Sequence, residues 1–403
     1  MKSRSLKLAG VLTLVTALLV TPQAVSAGTV PGSSAQAAAV PYTAESRLND
    51  AELPVDPVTF DECEQKHTTT DPYWFKNRFN ICRNAVLMVT YKRLKDGKPE
   101  VVGHSYFRTA FIGVAQDKEN KVRFGLRMRY LAGDGEEIPE SRISFALECG
   151  NNDPERTSTC DYSPRLPVDR TVAEWRAPGG DEPIYWPAVA STTSVPTEKY
   201  KAENRGFFAF NLVETFTGTI GPPDVDPDPQ EFFRCDSATY ATRGSRCVFT
   251  TVTPTLVFDL HDPGYGESAA FIKDAQEDIT RTKPGLIGKE VPGRFRETTL
   301  TYLYPGYDVG NTKNGSRNKV RRVCKAEWGA KYTKDANGNA RQCDEYPFAS
   351  TYQNAARVDE STKWSYAAKA IAGPHNEASG RLLSSWYGRE HMLDGDGFYV
   401  VVR

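Results

Sequence analysis

The chain has 403 residues, with 50 lysines and arginines against 51 aspartates and glutamates, a formal net charge of −1. That length is enough for two domains and a sizeable core. The charge balance excludes a chain-wide basic or acidic footprint, so any surface for a charged partner has to be local.

Lys2, Arg4 and Lys7 precede an apolar run from Leu8 to Val20, broken by Pro22 and followed by the small residues Val25-Ser26-Ala27. This pattern predicts a secretory signal peptide over residues 1–27, cleaved after Ala27, since the run is short for a membrane span. No membrane span is expected in the mature chain. Residues 28–42, rich in alanine and serine, read as a mobile leader.

From 43 to 253 the pattern is dominated by strands. Ala85–Tyr91, Phe107–Val114, Val122–Tyr130, Ile143–Leu147, Phe207–Phe216 and Val248–Phe258 are separated by Gly, Pro and Asp clusters. Many short strands with turn signals predict a β-rich, sandwich-like module. Arg123, Arg127 and Arg129 alternate with Phe124, Leu126, Met128 and Tyr130. They are read as a solvated sheet face in preference to a binding face. Pro222, Pro223, Pro227 and Pro229 mark an extended loop.

The eight cysteines fall in neighbouring couples: Cys63 and Cys82, Cys149 and Cys160, Cys235 and Cys247, Cys324 and Cys343. Short intervals within couples and long gaps between them favour sequential pairing and an oxidising compartment, although sequence alone does not fix connectivity. None shows C-x-x-C spacing, which argues against structural zinc.

From about Pro254 the texture changes. Ser268–Asp278 has helical periodicity, with Phe271, Ile272 and Ala275 on the buried stripe. Residues 311–342 carry nine basic residues, among them Arg317, Lys319, Arg321, Arg322 and Lys325, against only Glu327 and Asp335. Trp328, Tyr332, asparagines and glycines interleave with them, which suits a phosphate backbone better than a solvated helix. Next comes Cys343-Asp344-Glu345-Tyr346-Pro347-Phe348-Ala349, a pair of adjacent carboxylates at the head of a short aromatic strand. Asp344, Tyr346 and Phe348 share its parity, and Pro347 makes the strand short, peripheral or bulged.

A second strand is expected over Lys363–Ile371, ended by Gly373-Pro374. A helix capped by Asn376 then carries Ala378, Leu382, Leu383, Trp386 and Tyr387 inward. Gly397–Val402 reads as a central strand. Strand, strand, helix places acids at one end of a ββα unit and His375-Asn376-Glu377 at the other. Phosphodiester hydrolysis needs a deprotonated water and a cation at the non-bridging oxygens. Asp344 can take the proton and a hard cation near Asn376 and Glu377 can do the rest, with oxygen donors favouring Mg2+ or Mn2+. His375 is the rival base. Plain structural roles stay open: Asn376 as a cap, Glu377 as a favourable charge at a helix N-terminus, His375 as a turn residue.

The heptapeptide at 343–349, the Asn376 turn with Gly380 after it, and Leu393-Asp394-Gly395-Asp396-Gly397-Phe398-Tyr399 resemble the NucA/NucB-type secreted deoxyribonucleases over about residues 254–403. The chain differs in having Gln353-Asn354 where the family commonly has Glu-Gly, and His375 where it commonly has Asp. The resemblance says nothing of the first 250 residues; for 254–403 it implies a small nuclease domain with a ββα-metal-type core, so that with the β-rich module at 43–253 the chain is expected to be α+β. It implies Asp344 as general base, Glu345 beside it, Asn376 as metal ligand, and extracellular DNA as substrate. The β-rich module would tune location or affinity, with cell wall or matrix as its partner. The alternative from another class is a non-catalytic secreted envelope or matrix protein with a degenerate nuclease domain; loss of both Asp344 and Asn376 would favour it, and both are present.

Overall fold

The computed structural model describes residues 42–44, 56–66, 73–153, 158–163, 165–191, 203–218, 230–241, 244–285, 288–359 and 364–403. The expected signal peptide, nearly all of the expected leader and the proline loop at 222–229 lie outside these. Tyr42, at the leader's end, opens strand β1 (Tyr42–Ala44).

The first core is built from α1 (Phe60–Glu64), β2 (Trp74–Asn77), β3 (Asn80–Lys95), β4 (Lys98–Ala115), β5 (Lys121–Gly135), β6 (Arg142–Asn151), β7 (Thr159–Tyr162), β8 (Val168–Thr171), α2 (Val172–Arg176), β9 (Ile184–Ser191), β10 (Arg205–Thr217), β11 (Glu231–Asp236) and β12 (Arg246–Phe249). Strands β2-β3-β4-β5-β9-β7 make one antiparallel sheet and β12-β11-β10-β6-β8 another. Strand alternation sends one face of each into a shared core, where Phe124 of β5 meets Phe210 of β10 with ring centroids 4.6 Å apart. The arginine face of β5 is solvated at Arg123 and Arg129, both exposed, and it also carries ion pairs. Arg127 pairs with Asp61 and Glu64 of α1, and Arg129 also pairs with Glu64, because the Cys63–Cys82 bridge ties α1 to β3.

The expected strand over Val248–Phe258 divides between two sheets. It ends as β12 and resumes as β13 (Pro254–Phe258), whose Leu256 and Phe258 belong to a second hydrophobic core. That core continues through α3 (Gly266–Glu277), β14 (Leu300–Thr301), β15 (Arg341–Tyr346), β16 (Ala367–Ala372), α5 (Gly373–Arg389) and β17 (Gly397–Val402), while α4 (Thr312–Trp328) packs in a smaller cluster with Ala355, Tyr366 and Ala368. The sheet order is β1-β13-β17-β14, so β17 is internal, and β15 pairs antiparallel with β16. The chain is therefore α+β and mostly β, with the strand–strand–helix order present in β15, β16 and α5. No helix among the described residues is long and apolar enough to cross a membrane.

Two boundaries differ from expectation. Helix α5 starts at Gly373 rather than after Asn376, because Pro374 sits in its first turn, where no amide hydrogen is needed; Asn376 is thus inside the helix and does not cap it. The basic stretch from Thr312 to Trp328 is a regular helix, held by the buried stripe Ser316, Val320 and Cys324.

All four sequential disulfides form: Cys63–Cys82, Cys149–Cys160, Cys235–Cys247 and Cys324–Cys343. The second joins β6 to β7 and hence one sheet to the other; the last fastens α4 to β15.

At the turn between α5 and β17 the two cores meet through polar contacts. Arg78 donates to the carbonyl of Glu390 (2.7 Å) and pairs with Asp396 (3.3 Å). Arg234 pairs with the same carboxylate and donates to the carbonyl of His391 (3.2 Å). The imidazole of His391 lies 2.9 Å from Asp236, both fully buried. Arg205 reaches the carbonyl of Asp394 (2.9 Å).

Candidate active site

Strand β15 sends alternate side chains to opposite faces. Asp344 and Tyr346 face α3. Asp344 is buried and accepts hydrogen bonds from the Ser268 hydroxyl (3.0 Å) and the Glu345 amide (2.8 Å); the Tyr346 hydroxyl accepts from Gln276 (2.7 Å). On the other face Cys343 is bridged to α4, and Glu345 accepts from the hydroxyl of Ser316 (3.1 Å), itself held by the amide of Ala355 (3.1 Å). Two serines from two helices thus fix two adjacent carboxylates.

Burial dominates the electrostatics of the pair. It pushes the Asp344 carboxyl up to about 6, against the opposing hydrogen bonds from Glu345 and Ser268. It pushes Glu345 up to about 7, with the Ser316 hydrogen bond and Arg317 opposing and the charge of Asp344 assisting. Both carboxyls are thereby moved toward the range useful in proton transfer at neutral pH.

The pair lies on the floor of a cleft of about 680 Å³. One wall is α4, contributing Lys313, Arg317 and Arg321; the other is α5, contributing Asn376, Glu377, Ser379 and Gly380. Residues 313, 317 and 321 are four apart and stand on one face of the helix, beside the buried stripe at 316, 320 and 324. Tyr302, Pro305 and Ser350 form part of the rim, and Tyr332, Thr333, Arg341 and Gln342 are among the residues lining the end at the strand's head. The Gln342 amide accepts from Asn376 (3.0 Å) and donates to Glu377 (2.8 Å), leaving Asn376 Oδ1 without a hydrogen bond among the described residues.

The structure gathers Asp344, Glu345, Asn376, Glu377, Arg317 and Arg321 around one cleft and leaves the other expected residues outside it. His375 points to the first turn of α3, where its Nδ1 accepts from the Glu267 amide (3.1 Å). Lys319 donates to the carbonyl of Val358 (2.9 Å) and lies over the Tyr366 ring; Arg322 and Lys325 are exposed but not in the cleft lining. Gln342, Ser268 and Ser316 were not singled out from sequence. The spacing of 313, 317 and 321 was the available signal for the cationic face; nothing local marks the two serines.

Residues 297–401 match the family model of deoxyribonuclease NucA/NucB. This part of the chain is a NucA/NucB-type domain. No curated protein and no solved structure matches the chain. The match to the NucA/NucB-type domain runs from just before β14 into β17 and includes the cleft floor and both its helical walls, but Ser268, which holds Asp344, comes from α3 outside it.

The donor set of the cleft fits a hard divalent cation. Its free ligating atoms are carboxylate and amide oxygens, the nearby cysteines are bridged, and the histidine faces away. No group of three or more His, Cys, Asp or Glu side chains gathers among the described residues. A cation here would be held by few protein oxygens, with water completing its shell.

Proposed function

We propose that the chain is an exported, metal-dependent endonuclease that hydrolyses DNA phosphodiester bonds without sequence preference. The observation that carries this reading is the cleft of the NucA/NucB-type domain, with two buried carboxylates on its floor and the three cations of α4 along one wall. Four disulfides favour an oxidising, extracellular setting.

Asp344 acts as general base and takes a proton from the attacking water. Its support is position, at the cleft floor with its orientation set by Ser268, and a carboxyl raised by burial toward neutrality. Glu345 lies beside it and faces the cations. Asn376 and Glu377 would hold the cation, which would supply charge neutralisation at the non-bridging oxygens and lower the pKa of a nearby water. Lys313, Arg317 and Arg321 bind flanking phosphates of one strand, contacts that carry no base information and so make cleavage indifferent to sequence. The β-rich module directs where the enzyme acts, on cell wall or matrix.

The test is supercoiled plasmid incubated with the mature protein in Mg2+, in Mn2+ and in chelator. Nicking and linearisation that need a divalent cation support the reading. An intact plasmid in every condition, with DNA still bound, would favour the non-catalytic envelope protein.

A further inference from the structure

Tyr240 lies in the loop after β11, well outside the matched domain, yet it touches the nuclease half at two points. Its ring stacks on that of Tyr304 with centroids 3.7 Å apart and planes 12° from parallel, and Tyr307 packs edge-on against both. Its hydroxyl donates to Glu203 and accepts from the amide of Asp394 (2.9 Å).

Those two points converge on the rim of the cleft. Asp394 accepts from the amide of Tyr304 (2.9 Å) through one oxygen and from the hydroxyl of Tyr352 (2.8 Å) through the other. Tyr302 donates to the carbonyl of Asp396 (2.9 Å), and Leu303 donates to that of Ser350 (2.9 Å). The segment from Tyr302 to Pro305, which supplies two lining residues, is thus bound to the 394–396 turn and the 350–352 segment. Tyr240 grips the first of these bindings from outside. We propose that Tyr240 is a positioning residue, through which the β-rich module holds the cleft rim in its substrate-binding shape. This rests on the nuclease reading, and it gives residues 73–252 a role in substrate affinity apart from any role in targeting. The floor carboxylates are held by Ser268 and Ser316, which Tyr240 does not touch. Binding and turnover should therefore separate.

The experiment uses the full mature chain with Tyr240→Ala and Tyr240→Phe, each checked for fold by circular dichroism. On linear DNA, Tyr240→Ala should raise KM about tenfold, the scale of one lost aromatic contact plus a hydrogen bond, with kcat within about twofold. Amide exchange at Tyr302, Leu303 and Tyr304 should accelerate. Tyr240→Phe keeps the stack and should recover more than half of both changes. A folded Tyr240→Ala with wild-type KM and wild-type exchange would overturn the proposal, as would a fall in kcat at constant KM. If Tyr240→Ala does not fold, Tyr240→Phe decides: a KM rise of about threefold supports the brace, and no change in KM or exchange removes it. The exchange arm needs no turnover. A wild-type protein that fails to cut DNA would therefore refute the nuclease reading, and the brace would still be decided at Tyr302–Tyr304.

Discussion

Replacing Asp396 by asparagine removes the one carboxylate that sits between Arg78 and Arg234 while keeping its shape. The two arginine side chains are 4% and 2% exposed and the aspartate 13%, so the charges have little access to water. Burial alone would raise the aspartate's carboxyl, but Arg234, Arg78, Arg205 and the amide of Leu393 outweigh it and bring it down to about 2 from an ordinary 3.8. A depression of roughly two units corresponds to about 2–3 kcal/mol of stability. Because the folded value lies below the unfolded one, this contribution is fully present above about pH 4 and is lost as pH falls toward 2. The variant also takes from Arg78 and Arg234 the anion they share, leaving Arg234 beside Asp236 (3.3 Å), and breaking a buried pair costs about 3–5 kcal/mol. We expect Asp396→Asn to lose about 3 kcal/mol at pH 7 in urea unfolding followed by tryptophan fluorescence, with the gap to wild type narrowing between pH 4 and pH 2. A loss under about 1 kcal/mol, or a gap constant from pH 7 to pH 2, would show that the arginines are satisfied without the carboxylate.

Three further outcomes follow from the cleft. Asp344→Ala should abolish plasmid cleavage at saturating Mg2+, whereas His375→Ala, whose ring faces α3, should retain it; the reverse pattern would make His375 the base. Neutralising Arg317 and Arg321 together should flatten the salt dependence of DNA affinity by about two counterions, while neutralising Lys319 and Lys325 should leave the slope within about half a counterion of wild type. Equal slopes for the two pairs would mean that the cleft wall does not track phosphates. Replacing Cys324 and Cys343 by serine should cost about 3 kcal/mol and lower activity before the β-rich sheets melt, since the bridge fixes α4 against β15; activity unchanged in the reduced form would show that α4 holds its place by packing alone.

Local chemistry was the legible part of this protein. Cysteine spacing gave the bridges, period-two alternation gave the sheets' inner faces, and the acidic pair at the head of an aromatic strand pointed to the cleft floor. Helix α4 was hidden because Asn314, Gly315 and Asn318 are poor helix formers, and its burial depends on only three side chains, one of them a serine. The separation of β12 from β13 was also invisible, since an apolar run does not say which core receives each half. Hardest of all was the junction of the cores. Arg78 and Asp396 are 318 positions apart, and no periodicity in either neighbourhood anticipates their meeting.

The disulfide map has a consequence for how the chain reaches its native state. Every cysteine is bonded to the member of its own couple, across separations of 11 to 19 residues. Loop-closure entropy makes that partner the one encountered most often in an unfolded chain. Of the hundred or so conceivable pairings, on the order given by eight cysteines, the native one is therefore close to what random collisions would select. Oxidation can proceed segment by segment as the polypeptide emerges, with little reshuffling by an isomerase. A chain reduced and denatured should regain its native bridges in simple air oxidation.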